Sequence, residues 1–237
     1  MSNHAIVDAA AHRELRVRTE PSEAMGDAVM SCFTVPDEFR RLQNEFPILF
    51  RRDATSRALS AIVLMGFEAG ENLYFDQGQW RARNRPMALA VPPFLVGRGA
   101  PDSDQLQLHI DLDHPRVSRD GAGTRLFDDG GRPTALVEET IALLGALDGG
   151  HREAGAFYAA LDRHQLTESF ALDVELASGA KHRMVGYEMI AEERLAALDP
   201  AVLGELNAAG QLEPIFMAIA SLANLTKLIE WKNARNG

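Results

Sequence analysis

One cysteine, Cys32, stands in 237 residues, so no internal disulfide is possible and extracellular stapling is excluded. Basic charge is scarce: 24 Lys and Arg face 34 Asp and Glu, a formal net charge of −10. Such a surface repels phosphate backbones and anionic lipid heads, and nucleic-acid binding is not expected without a local basic patch. The first twenty residues, with His4, Asp8, His12, Arg13 and Glu14, lack the apolar core of a secretory signal. The longest apolar-rich run, Ile215 to Leu225, contains Ser221 and Asn224 and is too short to span a bilayer. The expected location is therefore the cytoplasm, with no transmembrane segment.

Motifs of chemistry are lacking too. Gly97-Arg98-Gly99 runs into Ala100-Pro101 and not into a helix with Lys and Ser/Thr, so there is no P-loop. There is no G-x-G-x-x-G after a strand, no H-E-x-x-H and no G-x-S-x-G. Paired zinc cysteines are impossible.

What is present is an ordinary globular balance, 46% hydrophobic and 24% charged, in a chain long enough to bury a substantial core. Residues 1–12 read as a flexible N-terminus. Pro36-Asp37-Glu38 opens a helix with Phe39, Leu42 and Phe46 on one face. Ile48 to Phe50 and Ser60 to Phe67 read as strands, the second apolar enough to be buried on both faces. Leu73 to Phe75 and Gln79 to Ala82 suit a hairpin over Asp76-Gln77-Gly78. Pro86, Pro92 and Pro93 leave the segment to Val96 as an extended edge or irregular piece. Gln105 to Asp111 alternates, with Leu106, Leu108 and Ile110 opposite Gln107, His109 and Asp111.

Further on, Leu136 to Leu147 and Ala154 to Leu161 carry helical stripes around Asp148-Gly149-Gly150, which predicts an antiparallel helical hairpin over 134–147 and 151–164. Phe170 to Leu176 and Met184 to Ile190 predict a β-hairpin turning at Ser178-Gly179. Ile215, Ala218, Leu222, Leu225 and Ile229 mark a buried C-terminal helix over 214–232. The fold class expected is α+β in a single domain: a mixed or antiparallel sheet drawn from 46–111 and the 169–190 hairpin, with these helices packed on it. Gly121-Ala122-Gly123 is the softest boundary.

Two candidate sites follow. His109 and Asp111 project to one face of a strand and can bind one metal together. With His151, His164 or His182 they would complete the facial triad of a non-haem iron oxygenase. Asp111 and Asp113 also form a D-x-D, without the nucleotide-binding βαβ pattern that would support it. The second candidate is the loop-rich stretch from Gly70 to Pro93, since loops on a packed scaffold carry function. There Glu71 and Asn72 offer polar groups, Tyr74 and Trp80 aromatic faces, and Arg81, Arg83 and Arg85 charge for an anionic group, with Arg51-Arg52 as further basic residues. The competing account places Tyr74 and Trp80 in the core.

Separated pieces in a fixed order carry a family resemblance from about His12 to Trp231: Phe46-Pro47-Ile48-Leu49-Phe50, Gly66-Phe67 with Gly70-Glu71-Asn72-Leu73, Trp80, Pro93-Phe94 and Ile110-Asp111. Then come Leu126-Phe127-Asp128 with Gly130 and Pro133-Thr134, Gly186-Tyr187, Glu193 to Leu198, and Leu222-Ala223-Asn224-Leu225. The chain resembles the SapC family of bacterial proteins, with residues 13–234 as the family-like domain. It departs at Arg85-Pro86 and Ala90 to Phe94, which lack the family's arginines and tyrosines, and at His109, where the family generally has no histidine. The resemblance carries over no catalytic residue. It implies a setting beside outer-membrane receptors, halogenase-like proteins and cupin-like oxygenases. The expected function is a non-catalytic accessory protein of envelope uptake or surface modification, without a cofactor, that binds a peptide, glycan or protein partner. A homo-oligomer stays open, and the alternative is the iron oxygenase.

Overall fold

The computed structural model describes residues 3–98, 106–175, 179 and 181–236. Gln105, Leu176 and Ser178, which belong to the expected strand and hairpin turn, lie outside them. The fold is α+β. Contacts group the chain into two compact units, Met1–Ala28 with Met87–Gly149, and Val29–Pro86 with Gly150–Gly237. Neither division falls at Gly121-Ala122-Gly123.

In the first unit, Leu106–Asp111 is the central strand of three, between His4–Ile6 and Phe94–Arg98, all antiparallel. The N-terminal residues expected to be flexible thus include a paired strand, whose backbone groups are satisfied by His109 to Asp111. Phe94–Arg98, just after Pro92 and Pro93, is an edge, one of the two forms expected for this segment. A second small sheet sets Arg16–Val17 between Val117–Ser118 and Thr124–Arg125. Val17, Phe94, Ile110, Leu126 and Phe127 form the core with Val137 and Leu144.

The second unit holds a five-stranded antiparallel sheet in the order Thr167–Glu175, Lys181–Ile190, Ile48–Arg52, Leu59–Leu64, Ser31–Thr34. The segments between 46 and 111 therefore do not share one sheet, and Ser31–Thr34 joins as an edge strand. Ile48 to Phe50 and Ala61 to Leu64 are buried without alternation, the pattern of strands covered on both faces. Phe39 on the helix Pro36–Leu42 meets Phe50 and Phe157 edge-on, with ring centroids 6.3 Å away in both cases.

The expected helical hairpin is instead one helix, Ala135–Arg163. Each glycine costs about 1 kcal/mol relative to alanine in a helix. Burial of Val137 and Leu144 in one unit, and of Phe157 and Leu161 in the other, outweighs that. Gly150 has a packing role: a Cβ there would lie 2.8 Å from Val35 Cγ2. The single C-terminal helix expected over 214–232 is divided into Leu212–Ser221 and Asn224–Asn236. Ser221 Oγ donates to the Ala218 carbonyl and accepts from Ile48 N–H, and Asn224 Nδ2 reaches the Gln43 carbonyl. The buried line runs Ile215, Ala218, Ser221, Asn224, Leu228, Lys232, so Leu222, Leu225 and Ile229 are only partly covered. By length and composition Leu212–Arg235 matches a membrane span, with 28% of the most apolar window buried.

Candidate functional site

The stretch from Gly66 to Asn84 is built around the backbone. Gly66 is required because a Cβ would lie 2.7 Å from the Glu71 carbonyl oxygen. Glu71 Oε2 accepts from Phe67 N–H at 2.8 Å, and Oε1 meets Lys232 Nζ at 2.6 Å. Lys232 also contacts Glu68 at 3.0 Å. Burial pulls the Lys232 amine down, but the two carboxylates more than offset it and the net direction is up. Asn72 is fully buried, and its Oδ1 accepts from Tyr74 N–H, an Asx turn.

Tyr74 is stacked on Phe46 with centroids 4.3 Å apart and meets Trp231 edge-on at 5.1 Å, its hydroxyl donating to the Glu45 carbonyl. Trp80 lies beside Phe75 and Tyr74, and its Nε1 donates to the Asn84 carbonyl. It sits on a two-residue hairpin, Phe75–Asp76 against Gln79–Trp80, where Gln77 and Gly78 both take positive φ. Arg81 pairs with Asp76 at 2.6 Å and lies 4.9 Å from the centre of the Trp231 ring.

Sequence reasoning missed Glu45, which holds the arginine-rich turn. Its carboxylate accepts from the N–H groups of Arg83 and Asn84 and from Asn84 Nδ2. Its carbonyl accepts from Lys227 Nζ at 2.8 Å as well as from Tyr74. Nothing in the local pattern distinguishes this glutamate; only the return of the chain does. The arrangement gives most of the loop-site residues partners inside the fold. Glu71, Asn72, Tyr74 and Trp80 are occupied by packing and internal hydrogen bonds, and Arg81 by Asp76 and Trp231. Arg85 is partly buried and the exposed Arg83 is fixed through its backbone. Glu71→Ala should therefore lower unfolding free energy by about 2 kcal/mol, with Glu68 keeping part of the compensation for Lys232. Arg83→Ala should change it by under about 0.5 kcal/mol. Urea titration of both variants checks the contrast; equal effects would refute it.

The metal candidate, His109 with Asp111, lies in the first unit. His109 pairs with Leu95 and Ile6 in the three-stranded sheet, and its Nε2 is buried without a hydrogen-bond partner among the described residues. It lies over Gly97, where a Cβ would come within 2.4 Å of that nitrogen. Asp111 Oδ1 accepts from Asp113 N–H, a local turn. Among the described residues no three His, Cys, Asp or Glu side chains stand together as a metal site. His151 packs edge-on against Phe33 in the second unit.

A polar cluster not anticipated from sequence joins Arg52, Asp162, Thr167 and Glu188. Arg52 holds Glu188 through two contacts, 2.9 and 3.0 Å, and Asp162 at 2.8 Å. Thr167 donates to Glu188 at 2.7 Å. The Arg52 hydrogen bond is the main cause that holds the Glu188 carboxyl below its ordinary value of 4.5. A depressed carboxyl stabilises the fold above the unfolded-state value and loses that contribution as pH falls through the folded value. Unfolding free energy should therefore drop by about 1 kcal/mol below pH ~4.5, and Arg52→Gln should flatten this segment of the profile. Denaturant titrations across that acid range check it. Cys32 is chemically quiet: burial first, then Glu38, pushes its thiol far up, with Arg85 opposing.

An open cleft remains in the second unit, with a volume of about 440 Å³. One wall is the helix Pro36–Leu42, giving Pro36, Asp37 and Arg40; another is Glu153 to Phe157 of the long helix; the third is Gln211 to Met217. Gln211 Nε2 donates to the Ala156 carbonyl and ties two walls together. Arg40 and Glu213 pair across the rim at 2.8 Å. Phe157 and Ala154 are buried in the floor, and Phe216, next to Met217, is 50% exposed. This volume is in the range of small-ligand and side-chain pockets. Sequence reading passed over it because its residues come from three distant segments.

The geometry defines an α+β protein with an aromatic loop packed into the second unit and an open cleft among helices. The SapC family model matches residues 7–228, and the chain belongs to that family. Comparison with curated proteins gives no match, and comparison with solved structures gives none.

Proposed function

We propose that this chain is a non-catalytic binding protein, an accessory of a bacterial envelope uptake or surface-modification system acting from the cytoplasm and recognising a peptide, glycan or protein partner. The observation that supports it is the open cleft of the second unit, with an apolar floor and polar rim, the composition of a recognition pocket. In the Gly70–Pro93 stretch Glu71 and Asn72 are engaged within the fold, while the Arg83 side chain stays exposed.

The test separates binding from catalysis. Untagged protein is incubated with an envelope extract, and bound species are weighed by native mass spectrometry alongside metal analysis. The expected result is a defined complex whose partner leaves with unchanged mass. Stoichiometric iron that is lost in His109→Ala and Asp111→Asn, with oxidation of a bound species, would replace this reading by the oxygenase.

A further inference from the structure

We propose that the cleft of the second unit takes a linear segment of a partner protein in which a large apolar side chain is flanked by Lys or Arg; this rests on the binding reading above.

The floor selects the apolar element. Phe157 and Ala154 form its base and Met217 its adjustable side, a side chain that adapts its shape to what it meets. The rim selects the cation. Asp37, Glu153 and Glu213 give three carboxylates against the one guanidinium of Arg40. Arg40 is already paired with Glu213, whereas no ion pair engages Asp37 or Glu153 among the described residues. Both are exposed and on different walls, so a cation seated over the floor gains from either.

The same charge argues against a second copy of this chain. A partner of net charge −10 with an identical acidic rim would meet like charge. A nucleic acid or anionic headgroup is disfavoured for the same reason. The polar rim around an apolar floor is the anatomy of a peptide-anchoring site.

The probe is a random-peptide phage library panned on the full chain at low salt. Enriched peptides should carry Lys or Arg next to a large apolar residue. Synthetic versions should bind Asp37→Asn/Glu153→Gln about tenfold more weakly, the sum of two exposed ion pairs. Glu192→Gln, away from the cleft, should leave affinity unchanged. Met217→Glu should abolish binding, and circular dichroism melts should show all variants folded. Enriched peptides without cations, undiminished binding to the double variant, or no enrichment would each overturn the proposal. Peptides that bind elsewhere would remove this cleft and leave partner recognition standing, whereas iron and turnover in the preceding experiment would remove the binding reading itself.

Discussion

Replacing Arg116 by methionine should cost the protein about 3–5 kcal/mol of unfolding free energy. The side chain is 1% exposed and donates to Asp27, 3% exposed, at 2.6 Å. Its other terminal nitrogen donates to the carbonyls of Arg18 and Glu20 at 2.9 and 2.8 Å. Methionine fills similar volume but removes the cation beside Asp27 and the donor to the Arg18 and Glu20 carbonyls. The diagnostic comparison is the double variant Arg116→Met/Asp27→Asn. Removing the charge on both sides should recover part of the loss, because the penalty lies in the buried ion more than in the missing attraction. Urea unfolding followed by far-UV circular dichroism measures both. A single variant within about 1 kcal/mol of wild type, or a double variant worse than the single by the full cost of a second lesion, would contradict this account.

The second large effect is at Tyr74, where alanine should cost about 3–5 kcal/mol. Its ring is fully buried between Phe46 and Trp231, so truncation leaves a cavity that the surrounding aromatics cannot close without breaking their own contacts. Tyr74→Phe keeps the ring and loses only the hydrogen bond to Glu45, a change of about 1 kcal/mol. Burial, with the Glu45 charge adding to it, pushes the phenol well above its ordinary value of 10.0. Absorbance titration should therefore show Tyr74 un-ionised in the native protein at pH values where free tyrosine has titrated, with its signal appearing on unfolding. A Tyr74→Ala protein of near-native stability that has lost partner binding would return this residue to the recognition surface.

Much of the local structure was legible because period and turn chemistry are local. The alternation around Ile110 placed a strand, and Gly78 placed a hairpin, although its turn is two residues and not the three of Asp76-Gln77-Gly78. Of the edge or irregular piece expected behind the prolines, Phe94–Arg98 is the edge. Pro200–Ala208 begins with a proline at its first turn, behind Asp199, whose side chain accepts from Ala201 N–H. The errors share a cause. Asp148-Gly149-Gly150 looks like a break because glycine weakens an isolated helix, yet Val35 approaches so closely that only glycine fits at 150. Ser221 and Asn224 lie off the expected stripe of Ile215, Ala218, Leu222, Leu225 and Ile229, yet they are buried and bond to Ile48 and Gln43 where the last helix divides.

The candidate site shows the same division. Glu71, Asn72, Tyr74 and Trp80 form a conspicuous run in sequence, and sequence position cannot distinguish an aromatic that meets a ligand from one that meets Phe46. Glu45, Lys227 and Lys232 carry no local signal, since their importance comes from distant partners.

By its own composition and order the chain determined its α+β class, its acidic surface, the absence of disulfides and its membership in the SapC family, because these reside in residue identity and short-range pattern. Tertiary structure alone decided the two compact units, the continuity of the long helix through Gly149-Gly150, the withdrawal of the aromatic loop into packing and the cleft formed by three distant segments. The physical reason is that burial and charge compensation are properties of what surrounds a side chain. For most of these residues the surroundings are supplied by chain far away in sequence.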